Sequence, residues 1–125
     1  TVQISKNDTI YVVDAFHFAV QAFDIDGNFL FSFGPKKAGM GAMARPRDIA
    51  LDSEGNIYIT DAMRNNVQIY SSTGDLLLQF GEVGNAPGQF QLPAGIYIDK
   101  NDYIYIADSV NRRIQVFKYI TAAKK

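Results

Sequence analysis

Short apolar stretches separated by polar, glycine-containing turns run the length of the chain, and three of them are near copies of one unit. Ile104-Tyr105-Ile106-Ala107-Asp108 is followed, after a polar tip, by Arg113-Ile114-Gln115-Val116-Phe117. Ile57-Tyr58-Ile59-Thr60-Asp61 leads in the same way to Val67-Gln68-Ile69-Tyr70, and Ile10-Tyr11-Val12-Val13-Asp14 to Val20-Gln21-Ala22-Phe23. Each copy predicts a strand, a charged turn and a strand returning beside the first. One interval of 47 residues separates Asp14 from Asp61, Asp61 from Asp108, and likewise Gln21, Gln68 and Gln115. A fixed period in this range predicts stacked copies of one supersecondary unit.

Four strands fit into each unit, in the middle copy at 47–52, 56–61, 66–70 and 75–80. Between them, Ser53-Glu54-Gly55, Ser72-Thr73-Gly74 and Asp26-Gly27 supply the left-handed residue that a tight hairpin needs. Val2 and Ile4 fall one period before Ile49 and Leu51 and predict the remainder of a first strand. Longer connections start after Phe33-Gly34 and Phe80-Gly81 and end at Pro46 and Pro93. The strands are apolar at nearly every residue, which suits small sheets covered on both faces.

In the third copy, Asp108-x-x-Asn111-x-Arg113-Ile114-Gln115-Val116-Phe117, preceded by Gly88-Gln89-Phe90-x-x-Pro93 and Ile96 to Asp99, resembles the NHL repeat. The resemblance covers about residues 2–117. It implies an all-β fold of β-propeller blades, each a four-stranded antiparallel meander, together making half of a six-bladed propeller. The blades are expected at 2–34, 47–81 and 94–117, with a tail at 118–125. The earlier copies depart from the motif, with Arg64 and His17 where Asn111 falls and Asn66 and Ala19 where Arg113 falls. An aspartate–arginine pair within the blade, as the resemblance suggests, is therefore kept only in the third. That blade also lacks an outer strand, since no turn glycine follows Phe117. Three such units leave a ring open, as six need about 280 residues. Two routes cover the open ends: a second copy related by a two-fold axis, or a missing N-terminal half.

Composition narrows the chemistry. The chain has 125 residues, 47% hydrophobic and 13% aromatic, enough to fill a core. No apolar run reaches the roughly 20 residues that cross a bilayer. The absence of cysteine excludes disulfides, thiolate metal sites and cysteine nucleophiles. A formal net charge of −1 argues against a globally basic nucleic-acid binder. Because turns of a meander alternate sides, Lys36, Lys37, Arg45, Arg47, Arg64, Arg112 and Arg113 collect with the tips on one loop-rich face. Most carboxylates collect at the short turns of the other.

The candidate contact surface is the loop-rich face. Phe16, His17 and Phe18 form the tip of the first unit, and Met63 and Arg64, then Asn111 and Arg112, occupy the tips of the others, with Arg45 and Arg47 beside them. Aromatic, methionine and arginine side chains on tips have the composition of binding hot spots. One histidine cannot assemble the imidazoles of a zinc site, which counts against the amidating-lyase branch of NHL-like enzymes. No Ser/His/Asp triad is credible with His17 alone. Asp14, Asp61 and Asp108 read as strand-end caps or arginine partners, with convergence near the axis on a calcium ion as the alternative, and Asp24-x-Asp26-Gly27 is too short for a calcium loop. Gly39-Met40-Gly41-Ala42-Met43-Ala44 matches a dinucleotide fingerprint only nominally, since no helix follows it. Asn7-Asp8-Thr9 is a glycosylation sequon. The expectation is a non-catalytic binding or scaffold module without cofactor or metal, engaging a protein or peptide and completed by self-association or by its missing half. Two alternatives stand: single-stranded RNA binding, with Phe16 and Phe18 stacking bases, and a metal-dependent hydrolase or lyase of the six-bladed class.

Overall fold

The apolar stretches of the sequence become strands throughout the computed structural model, which describes residues 1–34 and 43–120. In chain order these are β1 (Val2–Ile4), β2 (Ile10–Asp14), β3 (Ala19–Phe23), β4 (Phe29–Phe33), β5 (Pro46–Leu51), β6 (Ile57–Asp61), β7 (Asn66–Tyr70), β8 (Leu76–Phe80), β9 (Pro93–Ile98), β10 (Tyr103–Asp108) and β11 (Arg113–Lys118). They form three antiparallel meanders, β1-β2-β3-β4, β5-β6-β7-β8 and β9-β10-β11. The architecture is all-β and has the form of half a six-bladed propeller. Among the described residues the third blade has no outer strand, so β11 is an edge.

Register explains why nearly every strand residue is apolar. Alternate side chains point to opposite faces, and each blade has a forward face toward the next blade and a rear face toward the one before. The forward face of the first blade, with Tyr11, Val20, Ala22 and Phe33, packs on the rear face of the second, with Ile49, Ile57, Ile59 and Tyr70. The forward face of the second, with Ala50, Tyr58, Val67 and Ile69, packs with Phe90 on Ile96, Ile104 and Ile106 of the third. Every residue of β6 and β7 is buried because the middle blade is covered on both sides. Each of the buried Val, Ile and Phe side chains contributes about 1.5–3 kcal/mol. The inner strand β5 lies between β1 and β9.

Turn chemistry sorts the two ends of the blades. At the short turns, Gly27, Gly55 and Gly74 take positive φ, while Asp8 and Asp102 hold the same position at φ 61° and 64°. Asp24, Asp52 and Asp99 each accept backbone amides two and four residues ahead. Much of the acidity of that face is therefore used to close turns. At the opposite end, Phe18, Asn65 and Arg112 are all left-handed, with φ of 54°, 53° and 54°. They repeat in register, so the three tips share one backbone shape.

The tips are pinned by the strand-end aspartates. Asp61, fully buried, accepts the amides of Ala44 (2.8 Å) and Arg45 (2.9 Å) from the incoming linker, that of Arg64 (3.1 Å) from the tip, and Gln68 Nε2 (3.3 Å) from β7. Asp108 accepts the Gln91 amide (2.8 Å), Asn111 Nδ2 (2.9 Å), Gln115 Nε2 (3.2 Å) and Arg113 Nε (2.8 Å). The other guanidinium nitrogens of Arg113 donate to the carbonyls of Asn85, Ala86 and Gln89. A buried carboxylate is tolerable when its lone pairs are met this fully. Burial pushes the Asp108 carboxyl upward, but the Gln91 amide, Asn111 and Arg113 together outweigh it and hold it below the ordinary aspartate value.

Replacing Arg113 by alanine removes the Nε donor from the Asp108 carboxylate and the guanidinium donors from the carbonyls of Asn85, Ala86 and Gln89. It should lower the unfolding free energy by about 3 kcal/mol, read from the midpoint of urea denaturation at neutral pH. A loss below about 1 kcal/mol would mean that the 85–89 loop is held by other contacts.

Candidate functional site

In the first blade the same carboxylate position has a different set of partners. Asp14 Oδ1 accepts the backbone N–H of His17 at 3.2 Å, and Oδ2 accepts Gln21 Nε2 at 2.7 Å. Oδ2 also pairs with His17 Nδ1 at 2.9 Å. A short 3₁₀ turn, Ala15–His17, folds the ring back over the strand end, and left-handed Phe18 then returns the chain to β3. The aspartate thus fixes both the backbone and the ring of one residue. The imidazole remains 79% exposed and its carboxylate 22% exposed.

That geometry selects a tautomer. With Nδ1 donating to the carboxylate, a neutral imidazole carries its lone pair on Nε2, where it can accept a proton from a bound molecule. The hydrogen bond from His17 is the foremost of the interactions holding the Asp14 carboxyl below its ordinary value. It therefore stays ionised through neutral pH.

The other expected residues divide into presented and committed groups. Phe16 is 93% exposed and Phe18 half-exposed, so neither folds down as core. Met63 and Val110 hold the tip position of Phe16 in their blades and are exposed as well. Arg45, Arg47, Arg64 and Arg112 are exposed, and the backbones of Arg45 and Arg64 are anchored to Asp61. Asn111 is committed to the scaffold, donating to the Gly84 carbonyl at 2.8 Å and to Asp108. Lys36, Lys37 and the stretch 39–42 lie outside the described residues. Asp14 and Gln21 belong to the arrangement and were not among the expected contact residues. The signal for them is the Asp-x-x-His spacing in a repeat whose other copies read Asp-x-x-Arg and Asp-x-x-Asn.

No group of three or more histidine, aspartate or glutamate side chains among the described residues is placed to hold a metal ion. Asp61 and Asp108 are occupied by the donors named above. A cavity of about 600 Å³ opens between the inner strands at the short-turn end, lined in part by Ser5, Thr9, Asp52, Ser53 and Tyr97. Asp52 is spent there on the amides of Glu54 and Asn56 and on the Tyr58 hydroxyl.

A family model described as DUF5128, a 6-bladed beta-propeller, matches residues 51–122. No curated protein matches the sequence. Among solved structures, a streptogramin B lyase superposes with a TM-score of 0.68 at 14% identity, over 98% of this chain and 41% of its own. A catalytically inactive histidine-to-alanine variant of virginiamycin B lyase from Staphylococcus aureus, with quinupristin, gives 0.66 at 13% identity over 96% and 41%. An auxiliary nutrient binding protein from Bacteroides thetaiotaomicron gives 0.68 at 19% identity over 92% and 36%. The chain spans about two-fifths or less of these proteins' lengths, 41%, 41% and 36%, and at such identities the likeness is one of fold.

Two expectations change. The propeller fold stands at the level of the six-bladed superfamily, and the matching family model is not specifically that of the NHL repeat. The expectation of a non-catalytic scaffold that engages a protein or peptide, and is not an enzyme, is corrected: the fold it was read from is shared over nearly the whole chain with lyases, and so does not point away from catalysis. Catalysis does not require a metal held by several histidines. One oriented imidazole is enough for proton transfer.

The Asp14 pairing has a signature in acid. A carboxyl lowered in the folded state adds stability above the ordinary aspartate value of 3.8, lost as pH falls through the lowered value. In an NMR titration, Asp14 should titrate below 3.8 in the folded chain and move up toward it in His17→Ala. An Asp14 titration unchanged by that substitution would show that the ring does not hold the carboxylate in solution.

Proposed function

Because the chain belongs to the DUF5128 family of 6-bladed beta-propellers, we propose that it is the acid–base part of a propeller enzyme, a lyase or hydrolase acting on the loop-rich face. His17 is the proton-transfer group and Asp14 its positioning residue. Phe16, Phe18, Met63 and Arg64 line the surface that receives substrate, with Arg45, Arg47 and Arg112 at its margin. The observation that carries the reading is the 2.9 Å contact between Asp14 Oδ2 and Nδ1 of an imidazole otherwise open to solvent.

The repeat argues that this histidine is not needed for folding. The same tip forms around Arg64 in the second blade and Asn111 in the third, with the same left-handed closing residue. The likeness to two lyases, one described as inactive after a histidine-to-alanine change, is in keeping with this reading.

In the forward reaction, Nε2 removes a proton, either from a carbon beside a carbonyl in an elimination or from water in a hydrolysis. The Asp14 carboxylate stabilises the imidazolium, which then returns the proton to the leaving group. Exposed arginines nearby suit a substrate that carries or develops negative charge. Aromatic tips offer it an apolar surface.

The test is turnover of a panel of esters and lactones together with quinupristin, followed by mass spectrometry. Elimination leaves the mass of a ring-opened product unchanged, whereas hydrolysis adds one water. His17→Ala should lower the rate about 100-fold or more and Asp14→Asn at least about 10-fold, with the fold retained in both. Wild-type rates no higher than those of His17→Ala on every member of the panel would remove His17 from the chemistry.

A further inference from the structure

Apolar side chains crown the tips of the loop-rich face. Phe16, Met63 and Val110 hold one position of the repeat, the crest of each tip, and are 93%, 63% and 47% exposed. Phe18 and Leu92 join them, both exposed and both with left-handed backbone, at φ of 54° and 53°. That conformation is costly for a residue with a Cβ and persists only where its surroundings impose it. At Leu92, Asn65 Oδ1 accepts the amide at 2.9 Å, and the carbonyl of Gln91 just before it accepts the Val110 amide at 3.1 Å. Asn65 Nδ2 donates in turn to the Met63 carbonyl at 3.4 Å. One network thus ties together the backbones of Met63, Leu92 and Val110, three apolar residues that all stay exposed.

These crests are open whatever adjoins the end blades. Met63 has a blade on either side of it and is exposed, and so is Arg45, which holds the position of Leu92 one period earlier. Nor do the crests enclose a hollow: none of these five residues lines the cavity at the short-turn end or the apolar groove beside β11. A small ligand is held in a concavity, whereas protruding apolar crests suit a surface that they can enter. Charge favours the same kind of partner. Arg45, Arg47, Arg64 and Arg112 are exposed, and among the described residues none of them is in a salt bridge. The carboxylates of this end are turned inward or paired. Asp61 and Asp108 are buried, Asp14 meets His17, Asp48 accepts the Ile96 amide at 2.9 Å, and Glu82 accepts Gln89 Nε2 at 3.3 Å. Asp8, Asp26, Glu54 and Asp75 are exposed at the short turns of the opposite end.

We propose that the loop-rich face docks on an anionic lipid surface, its apolar crests entering the headgroup region and its exposed arginines meeting lipid phosphates. Apolar insertion and cationic attraction are the two signals that together hold a protein at a bilayer without spanning it. Single-stranded RNA fits this face less well, because Met63, Leu92 and Val110 are aliphatic and offer a base no ring to stack on. The inference does not rest on the catalytic reading, because vesicle binding is measured without turnover. His17→Ala should keep it, so a failure of either proposal leaves the other in place.

The chain contains no tryptophan, so Phe16→Trp and Tyr97→Trp carry single reporters, one on a crest and one on the forward face of the third blade. Each is titrated with vesicles of phosphatidylcholine alone and of phosphatidylcholine and phosphatidylglycerol in equal parts, with flotation as the binding readout. Phe16→Trp should float with the anionic vesicles and its emission should shift to the blue, whereas Tyr97→Trp should float without a shift. Leu92→Asn, whose side chain tolerates left-handed backbone, should lower the affinity about 10-fold. Arg64→Gln should lower it about 5-fold and flatten its salt dependence. All four substitutions change exposed residues, and circular dichroism with a cooperative melt checks that each variant folds. No flotation, or equal flotation with neutral vesicles, would overturn the proposal. A blue shift at Tyr97→Trp alone would overturn it in favour of binding through the ends of the blade stack. A Phe16→Trp signal that answers only to an oligouridine would overturn it in favour of RNA.

Discussion

A carboxylate buried at the end of the second strand of a blade is the interaction on which the loop-rich face depends. Asp61 and Asp108 each bind the linker that enters the blade, the tip that leaves it and the glutamine of the following strand. Three segments distant in sequence are thereby fixed to one pair of oxygens. Such a group costs several kcal/mol to bury if any of its donors is missing, so the loops that supply them are held to one arrangement. This is why glycine-poor tips can stay ordered with a left-handed phenylalanine, asparagine or arginine in them. The carboxylate offsets a backbone cost of about 1–2 kcal/mol that these side chains would otherwise impose.

The first blade shows what the device permits. Asp14 takes fewer donors from the described chain than its counterparts, and a histidine ring fills the place that the Asn111 amide fills in the third blade. A structural cap and the group that orients an imidazole are then the same carboxylate in two settings. The difference lies in what occupies the position three residues on: arginine, asparagine or an imidazole whose second nitrogen is left to solvent.

Much of this was legible in the sequence, and the reason is the period. The expected strands of the middle unit fall within one residue of those observed, because a 47-residue repeat lets each copy correct the reading of the others. Val2 and Ile4 were recognisable as a strand only through Ile49 and Leu51. The tips were less legible. Phe18, Asn65 and Arg112 carry no mark of left-handed backbone, since that conformation is imposed by tertiary hydrogen bonds rather than by residue type. For the same reason Asn111 read as a presented side chain although it is bound on two sides, and Asp14 read as a cap although it also holds a ring. Pairings three residues apart become visible only once the turn between them is known.

The blades are joined in a way that separates two kinds of cohesion. Backbone ladders run only inside each meander among the described residues, and the seams between meanders are made of Ile, Val, Tyr and Phe side chains with a few side-chain hydrogen bonds. Apolar burial weakens on cooling because its driving force near room temperature is entropic, while ladder hydrogen bonds have no such dependence. The cohesion that weakens most on cooling is thus that of the joints between blades and not that of the ladders within them.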